Sequence, residues 1–447
     1  MSVLPVGIGS EEAGGYQIER SLRFNSADSA NLTRTPASAG NRKTWTFSAW
    51  IKRSGLGASQ GIFQCYDGAS SRRSSIQFNS NDTIGWDQGG DGSSGLIDTV
   101  AVYRDVSSWY HLVCIADYTN GTAANRAKIY INGVLQSVTT TDDFENADGL
   151  INSTNPHQIG SVESVSYFNG YMANINFIDG QALDPTSFGE YNTDTGVWQP
   201  KAYTGSYGTN GFYLDFADNS STTALGYDAA GSNDWTPNNF SVTAGAGNDS
   251  LVDTPTRYGT DTGAGGEVRG NYATLNPLEN GSATFTQGNL RAATSTTSGK
   301  RSVGSTLLVS SGSWYCEVEC VTNGSSSAAI GIANTSFVIG SEIGANCYAY
   351  YNDGQKIVNG SYSSYGASYT SGDIIGIAFN ADSGTLTFYK NGSSQGAISS
   401  IPAGTYRIAA AGNSSVTAST FEANFGQRPF AYTAPSGFKA LCTTNLP

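Results

Sequence analysis

Hydrophobic and polar residues alternate with a period of two along most of this chain, and a helical period is nearly absent. In residues 44–52, Trp45, Phe47, Ala49 and Ile51 fall on one face; in 109–117, Tyr110, Leu112, Cys114 and Ala116 do. Further along, Trp314, Cys316, Val318 and Cys320 share a face, as do Ile375, Ile377 and Phe379. Successive side chains of a strand point to opposite sides, so this pattern buries one face of a sheet. Asn132-Gly133 and Asn391-Gly392 each interrupt such a run after a short strand. Asn-Gly adopts the positive φ angles of a tight hairpin turn, so each half of the chain carries one hairpin signature. The one good helix start is Asp184-Pro185-Thr186. Asp can cap there and Pro suits the first helical position, which predicts one or two turns at most.

Composition supports many turns joining short strands. Gly occurs 55 times, and charged residues make up 13%. Aromatic residues reach 11%, with 25 Tyr, which argues against a disordered chain. The expected fold is all-β: two β-sandwich (jelly-roll-like) domains, 21–245 and 271–447, joined by a Gly/Thr-rich linker over 246–270. Residues 1–20, Gly-rich with scattered apolar side chains, form a candidate docking segment. The net charge is −13 and no Lys/Arg cluster exceeds a pair such as Arg72-Arg73. That excludes a basic nucleic-acid footprint. No run approaches the roughly 20 apolar residues of a membrane helix, and residues 1–12 lack the basic and apolar regions of a secretory signal. Cys316 and Cys320 lie about 13 Å apart along one strand, too far to bridge. The six cysteines are read as reduced and buried.

The first half resembles the laminin G-like, or concanavalin A-like, lectin fold. The resemblance runs through Ser21-Leu22-Arg23-Phe24, Thr46-Phe47-Ser48-Ala49-Trp50-Ile51, Trp109-Tyr110-His111-Leu112-Val113, Lys128-Ile129-Tyr130-Ile131-Asn132-Gly133 and Gly170-Tyr171-Met172-Ala173-Asn174-Ile175. The second half resembles a SPRY domain through Trp314-Tyr315-Cys316-Glu317-Val318, Ala329-Ile330-Gly331-Ile332-Ala333, Gly372-Asp373-Ile374-Ile375-Gly376-Ile377, residues 386–392 and Asn424-Phe425-Gly426-Gln427-Arg428-Pro429-Phe430. The combination is similar to virion proteins of tailed phages, with Asn233-Asp234-Trp235-Thr236-Pro237 and Ala434-Pro435-Ser436-Gly437-Phe438 typical of them. This resemblance implies a virion surface protein assembled in the host cytoplasm, in contact with other virion proteins, that attaches through host surface polysaccharide. The alternative is a capsid or tail decoration protein. Sequence leaves a homo-oligomer open.

Catalysis finds little support. The two histidines, His111 and His157, lack a nucleophile motif beside them. Glu317 and Glu319 share one face of a strand about 7 Å apart, yet the third acid and flanking residues of strand-borne glycosidases are missing. No enzyme activity is expected. Asp87, Asp91 and Asp98 partly imitate a calcium loop, without the ligand at its third position or a closing Glu; calcium is the one cofactor the sequence leaves open. Sugars stack on aromatic faces and bond to Asp and Asn. The candidate ligand-binding residues on that ground are Tyr66, Asp67, Trp86, Asp87, Tyr350, Tyr351, Asn352 and Tyr365.

Overall fold

The computed structural model describes residues 15–68, 73–89, 95–140, 144–263, 267–279, 282–294, 301–324, 327–341, 343–413 and 418–447. The chain divides into two compact units, one comprising Glu11–Thr243 with Gly247–Thr256, the other chiefly Arg257–Pro447. Each is built around two large antiparallel-dominated sheets, and the first adds a two-stranded sheet of Gly189–Tyr191 and Trp198–Pro200.

In the first unit, Thr44–Arg53 is the axis of one sheet, pairing antiparallel with Trp109–Asp117 and with Gly170–Asp179. Ala127–Ile131 and Val134–Leu135 extend one flank, Ser21–Phe24 and Ser250–Leu251 the other. The facing sheet runs Val138–Thr140, Gly95–Thr99, Ile84–Gln88, Arg73–Phe78, Gln60–Tyr66, His157–Ile159, Asn31–Arg34 and Thr236–Asn238. The predicted inward set meets between them: Trp45, Phe47, Ala49 and Ile51 pack with Phe63, Ile76, Trp86 and Ile159. Stacked and edge-on ring pairs such as Phe47 on Phe63, at 4.9 Å, add to the area they bury.

The second unit has one sheet in the order Thr284–Thr286, Arg291–Ala293, Thr420–Asn424, Ser313–Thr322, Ile374–Asn380, Thr385–Lys390, Ser393–Ile398. The other runs Arg301–Gly304, Tyr406–Asn413, Ser327–Asn334, Cys347–Tyr351, Gln355–Val358, Ser361–Ser364. Both Asn-Gly turns form as expected, with φ of 50° and 78° at Asn132 and Gly133 and 47° and 80° at Asn391 and Gly392. The predicted helix is a single 3-10 turn, Pro185–Ser187, whose cap Asp184 accepts from Thr186 N at 3.0 Å. All six cysteines are free and buried.

The expected linker is a correction. Ser250–Leu251 pairs with Ser21–Phe24, so Gly247–Thr256 belongs to the first sandwich, and Arg257 onward belongs to the second unit. Low apolar content hid this, because buried ion pairs join Leu251, itself fully buried, in anchoring the segment. Arg23 pairs with Asp249 at 3.0 Å and Lys52 with Asp253 at 2.8 Å, both cations fully buried. Trp109 Nε1 donates to the other Asp253 oxygen at 3.2 Å. Similarly, Ile18 within the expected docking segment is buried in this unit, its N donating to Thr256 Oγ1 at 3.1 Å; residues 1–14 lie outside the described set. Removing one partner of a buried pair strands the other charge. Asp253→Asn is therefore expected to cost about 3–5 kcal/mol in urea unfolding. Arg104→Ala, which removes a largely exposed cation from Asp82, is expected to cost under about 1 kcal/mol.

Candidate functional site

The outer face of the second sheet of the first unit carries an open polar groove. Register places Tyr66 opposite Arg73, Gln77 opposite Gly85, Gly85 opposite Asp98, and Asp87 opposite Leu96. Alternation turns Arg73, Gln77, Asp87, Leu96 and Asp98 outward while Ile76, Trp86 and Ile97 enter the core. The groove encloses about 650 Å³ and is lined by Ser59, Arg73, Gln77, Asn79, Asp87 and Asp98 among others. Gly85 keeps its floor open: a Cβ there would lie 2.7 Å from Asn79 Nδ2 and 2.8 Å from Asp98 Oδ1.

Hydrogen bonds hold the lining in place. Gln77 Nε2 donates to Asn79 Oδ1 at 3.0 Å, and Asn79 Nδ2 donates to Asp98 Oδ1 at 2.7 Å. Arg73 bridges two carboxylates, Glu163 at 2.8 Å and Asp87 at 3.4 Å. Burial pushes the Asp87 carboxyl above its ordinary range against the pull of Arg73, and the like charges of Glu163 and Asp98 add to the rise. Glu163 stands in a loop docked on the same sheet. Its N donates to Gln64 Oε1 at 3.0 Å, and Gln64 in turn bonds Gln158. Glu163 and Ser164 both have positive φ, 52° and 54°, a conformation that bulky side chains disfavour.

The structure sorts the predicted binding residues. Tyr66, Asp87 and Asp98 share this outer face, and the half-buried Asp67 follows Tyr66 at the strand end. Trp86 is a correction: fully buried, its ring lies 5.0 Å from Trp45 and 6.1 Å from Phe144, so no ligand can stack on it. Tyr350 and Tyr351 are corrections too. Tyr350 is fully buried against Tyr369 and Phe388, and Tyr351 packs on the other side of its sheet with Ile343 and Ile357. Asn352 is occupied in structure, accepting from Ala328 N at 3.1 Å and donating to Asn323 at 3.0 Å. Tyr365, half-buried, bonds the Gly396 carbonyl beneath Lys356. Arg73, Gln77, Asn79 and Glu163 escaped sequence reasoning, because strand register assembles them.

Asp87 and Asp98 stand on adjacent strands of a hairpin rather than on one winding loop; Asp91 lies outside the described residues. Among the described residues no three His, Cys, Asp or Glu groups converge to hold a metal ion.

Both histidines are framework residues. Trp198 Nε1 donates to His111 Nδ1 at 2.9 Å, so the proton sits on Nε2, 2.8 Å from Ser48 Oγ. A ring whose free nitrogen is occupied by a donor cannot take the serine proton. His157 Nε2 accepts from Asn152 N at 2.9 Å, with Asn155 O at 2.8 Å from Nδ1. Burial lowers their pKa values to about 3 and about 4. Glu317 is likewise committed: its oxygens accept from Ala431 N at 2.7 Å and Tyr432 N at 2.8 Å.

Residues 25–187 match the model of the concanavalin A-like lectin/glucanases superfamily, and residues 313–428 match the SPRY domain model. The chain carries one domain of each kind. Both are sandwich folds and typically serve as non-catalytic binding modules. Among solved structures, the SPRY domain of human HERC1 aligns at 17% identity over 35% of this chain and 99% of its own, with a TM-score of 0.32. A heptameric SAP-like pentraxin from Limulus polyphemus aligns at 17% identity over 38% of this chain and 80% of its own, with a TM-score of 0.29.

Two outcomes follow from this placement. Trp86→Ala is expected to lower stability by about 3–5 kcal/mol in urea unfolding, as loss of a core aromatic does. Each histidine binds its proton more readily unfolded than folded, so stability is complete above pH 6.5 and declines as pH falls toward the folded values of about 3 and about 4. At pH 5 the loss is about 2 kcal/mol per histidine. His111→Gln should therefore flatten the dependence of stability on pH between 7 and 5.

Proposed function

We propose that this protein is a non-catalytic binding protein whose lectin-like domain holds carbohydrate in the groove beside Arg73, Gln77, Asn79, Asp87 and Asp98. The observation that carries this reading is the groove itself: about 650 Å³, open, and lined mainly by amide, hydroxyl, carboxylate and guanidinium side chains, with Leu96 and Gly95 among them. Its volume falls within the range of ligand sites. Its lining suits a ligand that presents many hydroxyls, each able to donate to a carboxylate and accept from an amide. Tyr66, on the same face opposite Arg73, offers an aromatic surface next to that residue.

The resemblance to tailed-phage proteins supports placing this activity on a virion surface, where the attachment target is host polysaccharide and the neighbours are other virion proteins. SPRY domains generally bind proteins, which suits the C-terminal domain for the second contact.

Binding of the labelled full chain to an immobilised panel of poly- and oligosaccharides tests the carbohydrate reading. Saturable binding is expected, with Gln77→Ala and Arg73→Ala each weakening it tenfold or more. Tyr362→Ala, in the other unit, should leave affinity unchanged. Equal loss in all three variants, or no binding anywhere on the panel, overturns it.

A further inference from the structure

We propose that the groove selects carbohydrate by charge, taking neutral or amino-bearing sugars and turning away uronate, sulfated and phosphorylated ones. The inference rests on the carbohydrate reading of the groove and names the class of ligand it admits.

The charges that meet there do not balance. Among the described lining residues Arg73 supplies one positive charge against the two negative charges of Asp87 and Asp98, a formal net of −1, and Glu163, which holds Arg73 from the neighbouring loop, adds a third carboxylate nearby. Arg73 is the only cation among the described lining residues, and Glu163 at 2.8 Å and Asp87 at 3.4 Å already claim it. An incoming anion would have to compete with two built-in carboxylates for one guanidinium. Asp98 has an amide partner, Asn79 at 2.7 Å, which can orient a carboxylate without neutralising it. Burial raises the Asp87 carboxyl above its ordinary range against the pull of Arg73, and the negative charges of Glu163 and Asp98 add to that rise. The chain's net charge of −13 adds a long-range field of the same sign.

Sugar hydroxyls meet no such penalty. They can donate to Asp98, Asp87 and Gln77 and accept from the Gln77 amide. An ammonium group would gain directly from the unbalanced carboxylates. Arg73 on this reading is a strut that holds Asp87 and the Glu163 loop together, not a receptor for ligand anions.

The test uses the full chain, with chelator present so that no divalent cation can bridge carboxylates. Affinities are measured for matched polymers that differ in charge alone: polygalacturonate and its methyl ester, sulfated and desulfated galactan, chitin and chitosan oligosaccharides. The expected result is binding confined to neutral and amino-bearing members, with each acidic partner at least tenfold weaker at 0.05 M salt. That gap should narrow at 0.5 M salt, where screening shortens the reach of the carboxylates. It should narrow also in the Asp87→Asn/Asp98→Asn double variant, read as a ratio of affinities rather than an absolute value. Acidic members bound as tightly as neutral ones, or a gap the double variant leaves untouched, overturn the charge selection while the carbohydrate reading stands. Failure of every member to bind removes both.

Discussion

Lys52 carries a charge on the side of its strand that a sandwich ordinarily leaves to water, and Asp253 answers it at 2.8 Å with both groups buried. Together with Arg23 and Asp249, this pair draws residues 249–253 against the first sheet. The consequence is a sheet covered on both sides. Trp45, Phe47 and Ala49 fill the core, while Trp50, Trp109, Tyr171 and Trp198 form a second apolar layer behind it. A buried ion pair is expensive to assemble and more expensive to break, so the covering segment is held by register as well as by packing. Such a sheet offers little open surface to a ligand. The facing sheet, with Gln77, Asp87 and Asp98 turned outward, leaves its polar side open along the groove.

What the sequence could reveal of this arrangement follows from what a period of two encodes. Alternation states which residues share a face, and the inward sets around Trp45 and Cys316 are buried as read. The turns were equally legible, because Asn-Gly is one of few dipeptides that occupy two successive positive φ positions cheaply. The same period shows why adjacent pairs fail as binding clusters. Trp86 and Asp87 are neighbours, so one must face the core when the other faces water; Tyr350 and Tyr351 divide in the same way between two apolar clusters. Alternation is silent about which strand lies beside which. Arg73, Asp87 and Asp98 come from three strands and Glu163 from a loop, and only pairing register brings them together. Opposite charges far apart in sequence, such as Lys52 and Asp253, leave no local trace either.

The direction of hydrogen bonds decides between framework and function at each polar cluster. Ser48, His111 and Trp198 look superficially like a nucleophile, a base and its orienter. A hydrolytic arrangement requires an acceptor behind the imidazole, so that the nitrogen facing the serine is free to take a proton. Here the group behind is an indole N–H, a donor, and the polarity is reversed. The ring, stacked between Trp50 at 4.8 Å and Trp198 at 6.0 Å, sits within the second apolar layer with its polar atoms satisfied.

The same accounting separates the two sets of carboxylates. In the SPRY domain, Glu317 accepts two backbone N–H groups and Glu422 faces Arg291 and Arg428. Those acids are spent on holding the segment after Asn424 and the strand of Arg291 in place. In the lectin-like domain, Glu163 and Asp87 are shared through one guanidinium, and Asp98 meets an amide. The acids of the SPRY domain thus serve its framework, whereas Asp87 and Asp98 of the lectin-like domain border an open groove. An ionised carboxylate can accept several hydrogen bonds, and one left partly unfilled beside an open groove gains more from a hydroxyl-rich ligand than from bulk packing. Spare acceptors at Asp87 and Asp98, not aromatic residues, thus distinguish the lectin-like groove from the tyrosine cluster around Tyr350, where the rings fill one another's space.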